Sequence, residues 1–120
     1  MTGSHTTYQR GLFAENVAAL WLMLHGWRIL ARRYKTPHGE IDLIARRCGL
    51  VAFLEVKARK DEMDAAEAIT PRTRRRIADA AGHYLAHHPG IAGLDLRFDA
   101  VLVLPRGRIR HIPGAWNLES

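Results

Sequence analysis

The sequence predicts an α/β fold of three layers, α/β/α, with a mixed central sheet of four to five strands. Three features carry that expectation. A long, nearly charge-free helical segment opens the chain, three β-like runs follow with short turns between them, and an amphipathic helix then leads into a further apolar strand. Strands joined by short turns pair antiparallel, whereas a strand–helix–strand crossover makes its two strands parallel and right-handed. A sheet built in this order is therefore mixed and takes a helix on each face.

The opening helix spans about residues 7–25. Phe13, Val17, Leu20, Trp21 and Leu24 recur at helical spacing and mark the main face expected to be buried. The other side, with Gly11, Ala18, Ala19 and Leu22 around Glu15, is also poor in charge, so the helix is expected to be covered on more than one side. Glu15 then lies in a small-residue groove, or serves as an early acid favoured by the helix dipole. Gly26 is a C-cap. Residues 27–34 read as the first strand, and Thr36-Pro37-His38-Gly39 as a turn. Two strands follow at 40–46 and 50–58, joined tightly through Arg47-Cys48-Gly49.

A charged loop is expected at 59–64 and a helical turn at 65–69. Thr70 and Pro71 open the second long helix as N-cap and first helical residue. Pro89-Gly90 stops that helix near residue 87. Residues 94–104 form a long strand with Leu96, Phe98, Ala100, Leu102 and Leu104 on one face, and 108–112 a short edge strand after the Pro105-Arg106-Gly107 turn. A single domain over 1–120 is expected, with 1–6 and 113–120 flexible or peripheral.

The chain of 120 residues can bury a real core, and it is 48% hydrophobic and 25% charged, the balance of a globular domain. No apolar run is long enough to span a bilayer as a helix, and no signal peptide is visible. The single cysteine, Cys48, excludes an internal disulfide and suits a reducing cytoplasm. A cytoplasmic protein without a membrane partner is the expectation. Eighteen Lys and Arg against 12 Asp and Glu give a net charge of +6, which favours polyanions such as nucleic acid.

Against that basic background the acids concentrate in the hairpin. Residues two apart on a strand share a face, so Glu40 and Asp42 do, and so do Glu55 and Lys57. Pairing across Cys48-Gly49 would bring the carboxylates and the ammonium together. Such a cluster repels itself unless a cation or a phosphate completes it. Mg²⁺ favours oxygen ligands and takes one or two carboxylates plus waters; Asp42 and Glu55, with the Val56 carbonyl, suit it. An ion there polarises a phosphoryl oxygen and activates water. Lys57 is placed to orient that water or to stabilise the developing negative charge. The competing reading is a salt-bridged sheet face, Glu55 with Lys57 or Arg59.

Asp42 followed by Glu55-Val56-Lys57 resembles the PD-(D/E)XK signature of restriction-endonuclease-like nucleases. In that superfamily the Asp and Glu bind a divalent metal and the Lys assists catalysis. Glu15 resembles the extra helical carboxylate of Holliday-junction resolvases. More narrowly, Gly11-x-x-Ala14-Glu15-x-x-Ala18, Gly26-Trp27-x-Ile29-Leu30, Gly39-Glu40-Ile41-Asp42-Leu43-Ile44-Ala45, Glu55-Val56-Lys57-x-Arg59 and Arg97-Phe98-Asp99 are together similar to the bacterial YraN family, over nearly the whole chain. The resemblance implies a nuclease core and a catalytic set of Asp42, Glu55, Lys57 and Glu15, with Mg²⁺ or Mn²⁺ as cofactor. No Pro precedes Asp42, a departure from the signature. Glu40 is an accessory acid, either a second-metal ligand or a solvent-facing residue, and Arg59 an accessory base.

On the second long helix Arg72, Arg75 and Arg76 lie on one side with Asp79, opposite Ile77, Ala81, Tyr84 and Leu85. They can track a phosphate backbone or form a solvated face. His83 and His87 are four apart with no third ligand to make a zinc site. The expected activity is hydrolysis of DNA phosphodiester bonds, branched or structured DNA included. The alternative is a non-catalytic nucleic-acid-binding module that keeps the fold. Resolvases of this fold act as dimers, so a homodimer or a partner protein is expected, with Trp116 and the edge strand offering contacts.

Overall fold

The computed structural model describes residues 7–117. In chain order the elements are α1 (Thr7–Leu24), β1 (Arg28–Lys35), β2 (Glu40–Arg47), β3 (Leu50–Ala58), α2 (Glu62–Glu67), α3 (Pro71–His87), β4 (Asp95–Leu104) and β5 (Arg108–Trp116). The five strands form one sheet in the order β1-β2-β3-β4-β5. β3 and β4 are parallel, and every other neighbouring pair is antiparallel. The α3 crossover makes the one parallel step, as the element order predicts. The sheet is mixed and lies between α1 on one face and α2 with α3 on the other, an α/β sandwich.

The strand residues divide between two cores. Ile44, Val51, Phe53, Ala100, Leu102 and Leu104 pack under Ile77, Ala80, Ala81 and Tyr84 of α3. Leu43, Ala45, Ala52, Leu54, Val101 and Val103 pack under Ala14, Ala18, Ala19 and Leu22 of α1. The small side chains of α1 let the helix sit close on the sheet, which makes this the buried face. The large ones do not reach it. Phe13, Leu20 and Leu24, expected in the core, are exposed, while Val17 and Trp21 are half-buried. The helix begins at Thr7 and has no acid in its first turn, so the dipole reading of Glu15 is excluded as well.

Three other boundaries differ from expectation. α2 starts at Glu62 rather than 65, because the Asp61 side chain caps it by accepting from the Asp64 N–H at 2.8 Å. β5 runs four residues past the expected 112, to Trp116. Pro113 is tolerated because β5 is an edge strand. Trp116 is only 7% exposed and stacks on Phe98, so residues 113–116 are integral to the sheet and Trp116 is no outward contact. The remaining expected peripheral residues, 1–6 and 118–120, lie outside the described residues.

Gly39 fixes how the helix layer meets the acid-bearing strand. A Cβ at this position would lie 1.9 Å from the Arg76 carbonyl oxygen. Only a residue without one lets α3 rest against the start of β2.

Candidate active site

The site is built where β2 parts from β3. Their ladder runs from Arg47↔Leu50 to Leu43↔Leu54, whereas β3 stays paired with β4 as far as Ala58↔Val103. Strand alternation also fails here, since Ile41 and Ile44, three apart, both pack on the α3 side. The Val56 N–H lies past the end of the ladder, and Asp42 Oδ2 accepts it at 2.8 Å. A side chain thus replaces a strand partner, and Asp42 is held facing β3.

Glu55 meets it there. The two carboxyl groups are hydrogen-bonded to each other, although Glu55 is buried. Burial first, and then the hydrogen bond and charge of Asp42, push the Glu55 carboxyl up to about 9, against the pull of Lys57. Lys57 Nζ lies 3.6 Å from Glu55 Oε2. Asp42, Glu55 and Lys57 therefore share one site.

Glu15 approaches from α1. It is 8% exposed, its Oε1 accepts no hydrogen bond, and the nearest cation is Arg33, with Nε 3.9 Å away. Burial first, and then the charge of Asp42, raise its carboxyl above the usual range, while Arg33 and Arg32 oppose them. Arg33 adopts φ 51 in the middle of β1, a left-handed backbone uncommon for a side chain of this size. Glu15, Arg33, Lys35, Glu40, Ile41 and Asp42 line a cavity of about 30 Å³, room for a water molecule.

The other named residues stand apart. Glu40 is exposed at the cavity edge. Arg59 is exposed and its Nη1 donates to the Ala58 carbonyl; of the two salt bridges in the competing reading, Glu55–Lys57 forms and Glu55–Arg59 does not. Arg72, Arg75 and Arg76 are exposed on α3, whose backbone at Arg76 lies against Gly39, the residue before Glu40. Val56 meets Asp42 through its N–H.

Among the described residues no group of three or more His, Cys, Asp or Glu side chains could hold a metal. The donors that do converge fit a hard divalent ion nonetheless. They are all oxygens, and Mg²⁺ asks for only one or two carboxylates, with water completing its shell. Two carboxyl groups in hydrogen-bond contact also need a proton or a cation between them.

The sequence reading gave no role to a third buried carboxylate. Asp99 of β4 has no exposed surface. Arg97 donates to it from Nε at 2.7 Å and Nη2 at 2.9 Å, Gly114 N–H donates at 2.9 Å, and His111 Nε2 lies 2.8 Å away. Two signals were available: the acid between Phe98 and Ala100 inside an apolar strand, and its place in the Arg97-Phe98-Asp99 motif, to which no role was given.

The family model described as "Uncharacterised protein family UPF0102" matches residues 14–103. The chain belongs to the UPF0102 family. A UPF0102 protein of Bradyrhizobium diazoefficiens is 54% identical over 113 residues, 94% of this chain and 85% of that one. A UPF0102 protein of Parvibaculum lavamentivorans is 53% identical over 110 residues, 92% and 83% of the two chains. Among solved structures, a repair endonuclease from Pyrococcus abyssi superposes at a TM-score of 0.46 with 18% identity, over 88% of this chain and 42% of that one. Overlap of that extent says nothing about this chain's chemistry. The match to UPF0102 spans Glu15, Asp42, Glu55, Lys57 and Asp99.

Proposed function

We propose that this UPF0102 protein is a Mg²⁺- or Mn²⁺-dependent nuclease that hydrolyses phosphodiester bonds of DNA, branched or structured DNA included. The observation that carries the reading is the meeting of the half-buried Asp42 with the buried Glu55 beside Lys57 Nζ. A proton holds Glu55 beside Asp42 in the absence of metal, and a divalent cation that displaces it would satisfy both carboxylates at once. The signature resemblance of Asp42 and Glu55-Val56-Lys57 supports the same roles.

Asp42 and Glu55 hold the ion, with the Val56 carbonyl a further ligand. The Val56 N–H keeps the Asp42 carboxylate turned toward Glu55. A divalent ion supplies charge neutralisation at the scissile phosphate and makes water a better nucleophile. Lys57 orients that water or stabilises the charge that develops as the P–O bond breaks. Glu15, buried with an unused oxygen beside the small cavity, accepts a hydrogen bond from a water held there. Arg72, Arg75 and Arg76 hold the phosphate backbone.

The test is incubation of purified protein with linear, flapped and four-way DNAs and Mg²⁺ or Mn²⁺. Wild type is expected to cut at least one substrate that Asp42→Ala leaves whole. Equal cutting, or none with either protein, removes the enzymatic reading. The second reading, a binding module without turnover, is favoured by the small number of acids at the site. It predicts DNA binding that Asp42→Ala leaves unchanged.

A further inference from the structure

Residues two apart on a strand share a face, and β1 and β2 break that rule at the same rung. On β1, Arg32 faces α1, where its Nη2 donates to Asn16 Oδ1. Tyr34 faces α3, its hydroxyl hydrogen-bonded to His83 Nδ1 at 2.6 Å and its ring edge-on to Tyr84. On β2, Leu43 packs under α1 and Ile41 under α3. Arg32 pairs with Leu43 and Tyr34 with Ile41, so Arg33 and Asp42 stand opposite each other where both strands change face. Arg33 has φ 51 there, and among the described residues it is the one non-glycine residue with a positive φ inside a strand. A left-handed residue in a strand sharpens the local twist and re-aims its neighbours, as in a β-bulge. We infer that the left-handed backbone of Arg33 aims Asp42: it rolls the β1–β2 pair over at this rung, so the Asp42 carboxylate points along the sheet to β3 rather than into either core.

Left-handed backbone is open to Gly, tolerated by Asn, uncommon for Arg and a genuine outlier for β-branched residues. Such strain persists only where the surroundings hold it, and here they do on both faces. Arg32 is tied to α1 and Tyr34 to α3, while Leu43 and Ile41 are fully buried in opposite cores. Extended backbone at Arg33 would put Arg32 and Tyr34 on one face and break one of these ties. At the changeover the Asp42 side chain belongs to neither face, which leaves it free to turn edgewise. Its Oδ2 accepts the Val56 N–H at 2.8 Å, the contact that holds it toward Glu55. The Arg33 guanidinium serves elsewhere, with Nε 3.9 Å from Glu15 Oε1. Arg33 is therefore a positioning residue through its backbone. Its purpose rests on the proposed reading of the acid pair as a metal site; the aiming of Asp42 does not.

Two substitutions in the full chain separate backbone from side chain. Arg33→Asn removes the guanidinium and keeps the left-handed conformation accessible; Arg33→Val removes the guanidinium and disfavours that conformation. The deciding readout is hydrogen exchange of the Val56 amide, with Asp42→Ala marking the rate when its acceptor is gone. Wild type and Arg33→Asn are expected to protect Val56. Arg33→Val should exchange it at least about tenfold faster, toward the Asp42→Ala rate, with the Leu102 amide in the core unchanged. Arg33→Thr, also β-branched, replaces the Val variant should that one not fold. Calorimetry with Mn²⁺ is the second readout: Arg33→Asn should bind within about threefold of wild type and Arg33→Val at least tenfold more weakly. Equal Val56 protection in the Asn and β-branched variants overturns the inference. So does equal loss in both, which would assign the aiming to the guanidinium, and so does an unprotected Val56 in wild type. A wild type that binds no Mn²⁺ removes the metal reading alone, since the Val56 rates still decide whether residue 33 aims Asp42.

Discussion

A carboxylate with no exposed surface stays charged only if its surroundings replace water, and Asp99 shows what that takes. Burial alone pushes it up, but hydrogen bonds from His111, Arg97 and the Gly114 N–H, with the Arg97 charge, more than reverse this and leave it at about 2. The folded value lies below the ordinary 3.8, so the stabilisation is complete above pH 3.8 and drains away as pH falls toward 2. A difference of about 1.8 units corresponds to roughly 2 kcal/mol. Asp99→Asn is therefore expected to lose about 2 kcal/mol or more at neutral pH and to show a flatter stability profile through the acid window. Urea unfolding across pH checks it; a variant that tracks wild type at every pH would refute the account. Asp99 lies inside the predicted strand, but its role was hidden in the sequence. His111 lies 12 residues away and Gly114 15, across a strand pair that Pro113-Gly114 appeared to end.

Among the elements, the strands and α3 were legible because their signals are local. Alternation, the two-residue Cys48-Gly49 connection and the Thr70-Pro71 start each name an element without knowledge of what it touches. The hairpin connection also sets register, and register brings Asp42 to Glu55, so the centre of the candidate site was readable too. α1 was half legible. Its periodicity marks Phe13, Leu20 and Leu24 as one face, yet the sheet takes the side with Ala14, Ala18 and Ala19, because close approach to a flat sheet rewards small side chains. Residue size decided between two apolar faces where hydropathy could not. Arg33 with its positive φ left no trace in the sequence at all. Gly39 was read as a turn residue, but its larger role is contact. Replacing it with Ala would drive a Cβ to within 1.9 Å of the Arg76 carbonyl, and backbone on both sides leaves no flexible group to yield. Gly39→Ala is expected to cost about 3 kcal/mol, at the upper end of overpacking penalties. Thermal unfolding measures this, and a loss under about 1 kcal/mol would mean that α3 shifts freely on the sheet.

At the scale of the molecule, charge is sorted. The chain carries +6 overall, yet its buried acids gather at the β2–β3 split and beneath α1, while Arg72, Arg75 and Arg76 stand exposed on α3. The Gly39–Arg76 contact sets that basic stripe beside the start of β2, so a strand bound along α3 would pass close to Glu40 and the acid pair. Phosphate contacts release counterions, and each one lost lowers the slope of log affinity against log salt by about 0.9 on duplex DNA. Arg75→Ala with Arg76→Ala is therefore expected to weaken DNA binding at low salt and to reduce that slope by roughly 2. Mn²⁺ binding, which depends on Asp42 and Glu55, should be unchanged in the same protein. Binding titrations at several salt concentrations, paired with calorimetry of Mn²⁺, separate the two surfaces. An unaltered slope would move the nucleic-acid path off α3, and a lost Mn²⁺ site would show that the stripe and the acid pair are one structural unit.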